Sequence, residues 1–255
     1  MGFLTGKTAI ITGAGRAVLK DGSCGSIGYG IATAYAKEGA NLVITGRNVK
    51  KLEAAKQELE SLYGIKVLTV QADVCAGGNN EATVANVVKQ AVDTFGGIQV
   101  LINNAQASAS GVPLTEHTTE QFDLAIYSGL YAAFYYMKAC YPYLAESHGS
   151  VINFASGAGL FGNFGQSAYA AAKEASAVCP ASPPPSGART ASTSTWSARW
   201  HGRPSSSSSG TPTLTLSRPT SRCLPWATTA TLRRRLAVSA SSWPCRISSI
   251  CPARP

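Results

Sequence analysis

Short apolar runs alternate with amphipathic stretches through the first two thirds of the chain, and this alternation constrains the fold more than any other feature. Strands are predicted for five apolar runs, at residues 7–12, 41–45, 65–71, 98–102 and 150–154. Helices are predicted over residues 28–37, 49–62, 81–95 and 119–144, with another beginning at Gln166. Strands that are apolar throughout and alternate with helices indicate a parallel sheet covered on both faces. The predicted fold class is therefore α/β, a doubly wound parallel sheet of the Rossmann type.

The alternation stops near Ala175, so the sheet is expected to be incomplete at its C-terminal end. Residues 1–175 are predicted to form one domain. Residues 176–255 form a tail rich in Ser, Pro and Arg, with ten arginines and no lysine, aspartate or glutamate. The formal net charge of +9 therefore belongs to this tail, and the domain before it is nearly neutral.

Three interpretations of the tail compete: a disordered basic segment, a nucleic-acid-binding arm, and translation in a shifted reading frame. The arginines are spread out apart from residues 233–235, which disfavours the arm and predicts no nucleic-acid partner. If one base has been lost near codon 175, the original frame permits the strand-like sequence D-G-I-N-V-N-V-V-C-P over residues 190–199. We therefore favour a frameshift, and we expect the chain as written to fold poorly beyond Ala175 and to have little or no activity.

Other sequence signals predict a cytoplasmic protein without a membrane or metal partner. The seven cysteines show neither metal-ligand nor disulfide spacing. The N-terminus lacks a charged region followed by a long apolar run and a cleavage site. No stretch approaches the length of a membrane span.

A glycine turn follows the first predicted strand. Gly13 and Gly15 come directly after it, and Ser26, Ile27 and Gly28 open the next helix. A glycine turn leading into a helix N-terminus presents backbone N–H groups to a pyrophosphate. Residues 16–25 interrupt the usual compact spacing, so an ordinary glycine-rich loop is the alternative. Its place after the first strand favours dinucleotide binding by these five residues.

The ends of the next two strands carry side chains suited to the adenosine half of a dinucleotide. Arg47 follows the second strand, where an acidic residue would bind the ribose hydroxyls of NAD. Its guanidinium suits a 2′-phosphate, which favours NADP over NAD; a solvated surface arginine is the alternative. Asp73 and Val74 follow the third strand, where the carboxylate can accept from the adenine amino group or cap the next segment.

Ser156, Tyr169 and Lys173 form the strongest chemical pattern. Tyr169 and Lys173 share one helix face at i,i+4, and Ser156 follows the fifth strand at the edge where such sheets bind ligands. Carbonyl reduction needs a proton donor, and a phenol with a pKa near ~10 becomes effective beside an ammonium that stabilises the phenolate. Ser156 can donate a hydrogen bond to the substrate oxygen.

These residues together resemble the short-chain dehydrogenase/reductase family. The resemblance implies that Tyr169 is the acid/base, that Lys173 assists it and holds the nicotinamide ribose, and that Ser156 positions the substrate oxygen. The strand-four signature of the family resembles residues 103–106, so Asn104 and Ala105 are predicted to border the nicotinamide. Gln106 stands where glycine is usual.

A second departure from the family lies in the long fourth helix. Many members use an asparagine there to anchor a proton-relay water, and the matching position is Gly129. The usual relay is therefore in doubt, and backbone atoms or Ser128 are candidate substitutes.

Within the family, residues 1–174 resemble bacterial bile-acid hydroxysteroid dehydrogenases, the 12α-specific group in particular. This resemblance implies NADP(H)-dependent interconversion of a steroid hydroxyl and a ketone. The alternatives are a 3-oxoacyl carrier-protein reductase activity and an inactive truncated member that only binds nucleotide.

Two apolar sets invite further interpretation. Leu160, Phe161 and Phe164 follow Ser156 and either line a sterol pocket or pack in a loop. An aromatic stripe on the fourth helix is interpreted first as a subunit interface, predicting a homo-oligomer, and second as part of a pocket: Tyr127, Tyr131, Phe134 and Tyr135.

Overall fold

A computed structural model describes residues 2–20, 22, 25–75, 80–178 and 192–197, with only the backbone of 177–178 and 192–197. Most of the predicted tail, residues 176–255, lies outside the described residues. Within the described part of the chain, no helix is long and apolar enough to cross a membrane.

Six strands form one parallel sheet in the order β3-β2-β1-β4-β5-β6. Their bounds are β1 Thr8–Thr12, β2 Asn41–Gly46, β3 Val67–Gln71, β4 Val100–Asn103, β5 Ser150–Ala155 and β6 Ser192–Ser197. The strand order reverses between β1 and β4, which is where a doubly wound sheet opens a crevice at the carboxyl ends of its strands.

Seven α-helices connect the described strands or follow them. They are α1 Ile27–Lys37, α2 Val49–Tyr63, α3 Asn80–Phe95, α4 Thr119–Ile126, α5 Ala132–Glu146, α6 Gly157–Phe161 and α7 Ser167–Val178. A π-helical segment, Tyr127–Tyr131, joins α4 to α5.

Two apolar cores lie on opposite faces of the sheet, because successive strand residues point to opposite sides. Ile10 belongs to the core shared with α3 and α5, whereas its neighbour Ile11 belongs to the core shared with α1 and α2. Both are fully buried. This double burial explains why the strands are apolar throughout and not alternating.

Side-chain caps fix where the first two helices begin. The Ser26 hydroxyl accepts from the Tyr29 N–H at the start of α1, and the Asn48 side chain accepts from the Lys51 N–H at the start of α2. Gly64 ends α2 with a φ of 64°, a conformation that favours glycine. The carboxyl ends of β1 and β2 are thereby held beside the starts of the following helices.

The predicted α/β doubly wound class is confirmed, and the five predicted strands correspond to β1–β5 within one or two residues at most ends. The predicted helix over 119–144 is interrupted by the π-helical segment. There the Ser128 hydroxyl donates to the Leu124 carbonyl at 2.6 Å and competes with the helical backbone pattern.

The strand β6 was not predicted. Its sequence, STSTWS, is polar, yet its backbone pairs with the open edge of β5 from Ser192 to Ser197. A parallel edge offers backbone donors and acceptors that do not depend on side-chain type, so pairing here needs no apolar pattern.

Candidate active site

A cleft of about 230 Å³ opens at the carboxyl edge of the sheet. Its lining comes from the ends of β1, β2, β4 and β5, from the segment after β3, from the π-helical segment, and from α5 and α7. The cleft therefore lies at the strand-order reversal, where folds of this class bind their ligands.

At the glycine turn, the end of β1, the start of α1 and the loop after β4 lie in close contact beside the cleft. Gly13 has a φ of 70°, and a Cβ built there would lie 3.1 Å from the Ala105 Cα. A Cβ on Gly28 would lie 2.3 Å from the Gly13 carbonyl oxygen and 2.6 Å from the Asn104 Nδ2. Gly13 is favoured by its positive φ, and glycine is required at 28 because a side chain there would separate α1 from the end of β1.

The other predicted pyrophosphate residues lie at the approach to α1. Gly15 packs close to the Lys51 side chain, where an added Cβ would lie 3.1 Å from the Lys51 Cβ. Ser26 is the N-cap of α1, and the Ile27 side chain at its first turn is 47% exposed. Among the described residues, Gly13 lines the cleft, whereas these three and Gly28 are adjacent to it and outside its lining.

The insertion at residues 16–25 is tied to α2 through one ionic network. The Arg16 Nε is ion-paired with Glu58, and the Tyr29 hydroxyl also hydrogen-bonds that carboxylate. The Tyr29 hydrogen bond and then the Arg16 guanidinium hold the pKa of Glu58 below its usual value. The network joins the insertion, α1 and α2.

Arg47, which follows β2, and Asp73 and Val74, which follow β3, all line the cleft. Arg47 is exposed, and no ion pair of the described residues includes it. The Asp73 carboxylate accepts from the Cys75 N–H at 2.9 Å, so it caps its own turn while lining the cleft. Burial raises the pKa of the Cys75 thiol, and Asp73 adds to that rise.

Asn104 and Ala105 are fixed by Thr12 at the end of β1. The backbone N–H groups of both donate to the Thr12 Oγ1 at 2.9 Å, and the Asn104 Nδ2 donates to the Thr12 carbonyl at 2.8 Å. The Asn104 side chain thus braces β4 against β1, and the backbone of Ala105 borders the cleft.

Ser156, Tyr169 and Lys173 are contributed by neighbouring elements. Ser156 follows β5 and is the N-cap of α6, where its Oγ accepts from the Ala158 N–H at 3.2 Å. The short helix α6 packs tightly on α7, since a Cβ on Gly159 would lie 3.1 Å from the Glu174 backbone nitrogen. This packing brings Ser156 to the helix that carries Tyr169 and Lys173.

Lys173 lies at the cleft, only 8% exposed, with its Nζ 5.8 Å from the centroid of the Tyr169 ring. Burial lowers the pKa of the Lys173 ammonium to about 8. No ion pair of the described residues neutralises it. A cation this poorly solvated interacts strongly with any anion or dipole that forms beside it.

Several lining residues were not predicted as site residues. Thr12 organises the β4 loop, and Asn153 accepts from the Asn103 Nδ2 at 2.8 Å beneath the cleft. Gln106 was noted only as a departure from the family, yet it lines the cleft. A signal for all three was available: each is a polar residue at the carboxyl end of a buried strand.

The two apolar sets lie apart from the cleft lining. Leu160, Phe161 and Phe164 are 58%, 74% and 87% exposed, respectively. The aromatic stripe forms a stacked row, with ring centroids 5.2 Å apart for Tyr127 and Tyr131 and 6.0 Å apart for Tyr131 and Tyr135.

The doubly wound sheet, the glycine turn against β4 and the helix α7 at the cleft define a Rossmann-type protein with a crevice at the reversal of its strand order. A family profile, short chain dehydrogenase, matches residues 7–179. The chain belongs to that family.

Similar proteins extend this assignment. A 12alpha-hydroxysteroid dehydrogenase of Clostridium sp. is 64% identical over 174 residues, which cover 68% of this chain and 64% of that protein. The chain therefore matches less than two thirds of the length of this relative.

Two solved structures show the same fold with different nucleotides. L-sorbose reductase from Gluconobacter frateurii, complexed with NADPH and L-sorbose, has a TM-score of 0.59 at 29% identity, covering 68% of this chain and 60% of that one. NAD+-bound xylitol dehydrogenase has a TM-score of 0.60 at 28% identity, covering 68% of this chain and 62% of that one. Chains of this fold thus bind either nucleotide.

Proposed function

We propose that this chain has the site of an NADP(H)-dependent oxidoreductase that interconverts a bile-acid steroid hydroxyl and the corresponding ketone. The observation that carries the proposal is Lys173 at the cleft with its ammonium over the Tyr169 ring, and Ser156 at the start of the adjoining helix α6. Among the described residues of this set, Lys173 lines the cleft, whereas Tyr169 and Ser156 lie outside its lining. The substrate class is supported by the 64% identity to a 12alpha-hydroxysteroid dehydrogenase over 174 residues.

The residues at the cleft fit a nicotinamide dinucleotide. The turn at Gly13 keeps backbone open to the crevice, because a Cβ there would fill the space beside Ala105. Gly15, Ser26, Ile27 and Gly28 would hold the pyrophosphate at the start of α1, and Asp73 and Val74 would border the adenine. Asn104, Ala105, Tyr169 and Lys173 would hold the nicotinamide half. When bound, the nicotinamide supplies or accepts the hydride.

The remaining chemistry belongs to the side chains. The Ser156 hydroxyl donates to the substrate oxygen and orients it. The Tyr169 phenol gives its proton to the developing alkoxide in reduction and takes it back in oxidation. The charge on Lys173 stabilises the phenolate that results, and it does so effectively because water is excluded around it.

The test is turnover by the full chain. A 12α-hydroxylated bile acid and NADP+ are incubated with it, and the absorbance of the reduced nicotinamide is followed. The chain as written is expected to show little or no activity, so the assay is repeated on the chain with the other reading frame restored after codon 175. Activity is expected there, with none for the same acid lacking the 12-hydroxyl and at least a hundredfold less for Tyr169→Phe. Turnover of an acetoacetyl thioester instead would indicate a 3-oxoacyl reductase. Nucleotide binding without any turnover would indicate a chain that only binds nucleotide.

The preference for NADP over NAD is supported by Arg47. It is an exposed cation that lines the cleft together with Asp73 and Val74. Arg47 thus occupies the position after β2 where an acidic residue would bind the ribose hydroxyls of NAD, and its guanidinium suits a 2′-phosphate.

We further propose that residues 176–255 are encoded in a shifted frame. Their composition and the strand-like run permitted over residues 190–199 support this, and the segment overlaps β6. Sequencing the coding DNA across codons 170–180 tests it. An extra base that restores the other frame would establish the proposal, and an unaltered frame in every independent clone and close relative would refute it.

A further inference from the structure

The Gln106 side chain lines the cleft without a partner. Its Oε1 and Nε2 are both buried, and neither has a hydrogen-bond partner among the described residues. Buried amides are normally satisfied by protein or water, so one that lacks partners at a binding cleft points to a ligand or water that it holds.

The space that Gln106 occupies exists because residue 129 is glycine. A Cβ on Gly129 would lie 2.7 Å from the Gln106 Nε2 and 3.2 Å from the Ala172 Cβ. The Gln106 amide and the Ala172 side chain of α7 therefore border one methyl-sized space, and the next residue of α7, Lys173, lines the same cleft as Gln106. A side chain at 129 and the observed position of Gln106 exclude each other.

The neighbouring hydroxyl is engaged elsewhere. The Ser128 Oγ accepts from the Ala107 N–H at 3.0 Å and lies within donating distance of two carbonyls, Leu124 at 2.6 Å and Ala107 at 3.1 Å. Ser128 thus fastens the π-helical segment to the loop after β4. Gln106 is left as the polar side chain facing the space beside Gly129.

We propose that Gln106 is a positioning residue for Lys173: its carboxamide anchors a water that accepts a hydrogen bond from the Lys173 ammonium. The importance of this contact rests on the proposed function, in which that ammonium must stay charged. The chain thus supplies from the loop after β4 an amide that Gly129 cannot supply from the helix. The Tyr169 ring contacts the Lys173 ammonium, and the other titratable groups that line the cleft among the described residues are Arg47, Asp73, Cys75 and Tyr136.

The test measures the charge state of Lys173 directly. Lysines of the full chain are competitively acetylated across a range of pH, and the Lys173 peptide is quantified by mass spectrometry. Gln106→Leu removes the acceptor while keeping bulk, and Gln106→Gly removes the side chain. We expect both to lower the pKa of Lys173 by about one unit, because the charged form loses a hydrogen bond. Gln57→Leu, on the exposed face of α2, is the matched control and should leave it unchanged.

Rescue separates positioning from general packing. Gln106→Gly combined with Gly129→Asn returns an amide to the same space from the helix, and it should restore the Lys173 pKa. An unchanged pKa in both single variants would overturn the proposal, as would a lowered pKa that the double variant fails to restore. If Gln106→Leu does not fold, Gln106→Gly and the double variant carry the same comparison. Labelling needs no turnover, so a restored pKa in a chain without steroid activity would support Gln106 and refute the proposed function alone.

Discussion

At the scale of single residues, the site is dominated by one buried cation. Lys173 is 8% exposed, and its pKa is lowered to about 8 because burial removes water from the ammonium. Desolvation of this kind opposes folding, yet it makes the charge effective on a neighbouring phenolate. The same group therefore weakens the fold and serves the proposed chemistry.

Replacing Lys173 should separate these two effects. We expect Lys173→Met to reduce turnover at least a hundredfold and to raise the free energy of unfolding at neutral pH by up to about 3 kcal/mol. Because the pKa is lower in the folded state, the unfolded chain binds more protons between pH 8 and the ordinary lysine value, and stability rises through that window. The advantage of Lys173→Met should therefore shrink as pH rises above 8.

Urea unfolding at neutral and alkaline pH measures this difference. Lys89→Met, which removes an exposed lysine on α3, is the control and should show no comparable gain. A gain for Lys173→Met that is independent of pH would show that burial of the ammonium is not its cause.

Arg47 is the residue on which the nucleotide preference depends. We expect Arg47→Asp to weaken NADPH binding at least tenfold, because it removes a cation and adds repulsion for the 2′-phosphate. NADH binding should be retained. Fluorescence titration of both nucleotides measures this, with Lys50→Asp as the control for charge alone. Equal losses of NADPH affinity in the two variants would assign the effect to general electrostatics.

At the scale of elements, the close approach of α1 to β1 shapes the crevice. Gly28 lies so near the Gly13 carbonyl and the Asn104 amide that helix, turn and β4 loop form one packed unit. The π-helical segment between α4 and α5 is also fastened to the loop after β4, because Ser128 hydrogen-bonds the backbone of Ala107.

Gly28→Ala should disrupt that unit. The added methyl would lie 2.3 Å from a backbone oxygen, so α1 must move away from β1. We expect a loss of about 1–3 kcal/mol in the free energy of unfolding and weaker nucleotide binding. Gly157→Ala, whose methyl would meet only the Phe161 Cδ2 at 3.9 Å, is the matched control. Chemical denaturation measures the free energy of unfolding of both variants. An unchanged value for Gly28→Ala would mean that the turn relaxes to accommodate the methyl group.

At the scale of the whole molecule, an aromatic surface on the π-helical segment and the start of α5 supports the proposal of a homo-oligomer. Tyr131 and Phe134 are 41% and 43% exposed, and their rings continue the stacked row formed with Tyr127 and Tyr135. Exposed apolar surface of this kind is favourable to bury against another subunit.

We expect Phe134→Glu to reduce the molar mass of the full chain measured by light scattering after gel filtration, because the charge would be buried at the interface. Leu62→Glu changes an apolar side chain that is 62% exposed on α2 and should leave the mass unchanged. A wild-type chain that is already monomeric, or an oligomer unaffected by Phe134→Glu, would contradict the prediction.

The sequence by itself determined the fold class and the strand ends at which most candidate site residues lie. Apolar strands alternating with amphipathic helices specify a parallel sheet, and in such a sheet polar residues at strand ends must meet at one edge. Arg47, Asp73 and Asn104 could therefore be located from their strands alone. The predicted helix starts lie within one residue of those observed, and the structure shows that the Ser26 and Asn48 caps fix two of them.

Only the tertiary structure decided what depends on contacts between distant segments. Three such features are the burial of Lys173, the bracing of Asn104 by Thr12, and the overlap between a side chain at 129 and the Gln106 amide. The pairing of β6 likewise depends on the open edge of β5 and on no pattern of its own. Local propensity carries no information about such contacts, because desolvation and packing are set by what the folded chain brings alongside each group.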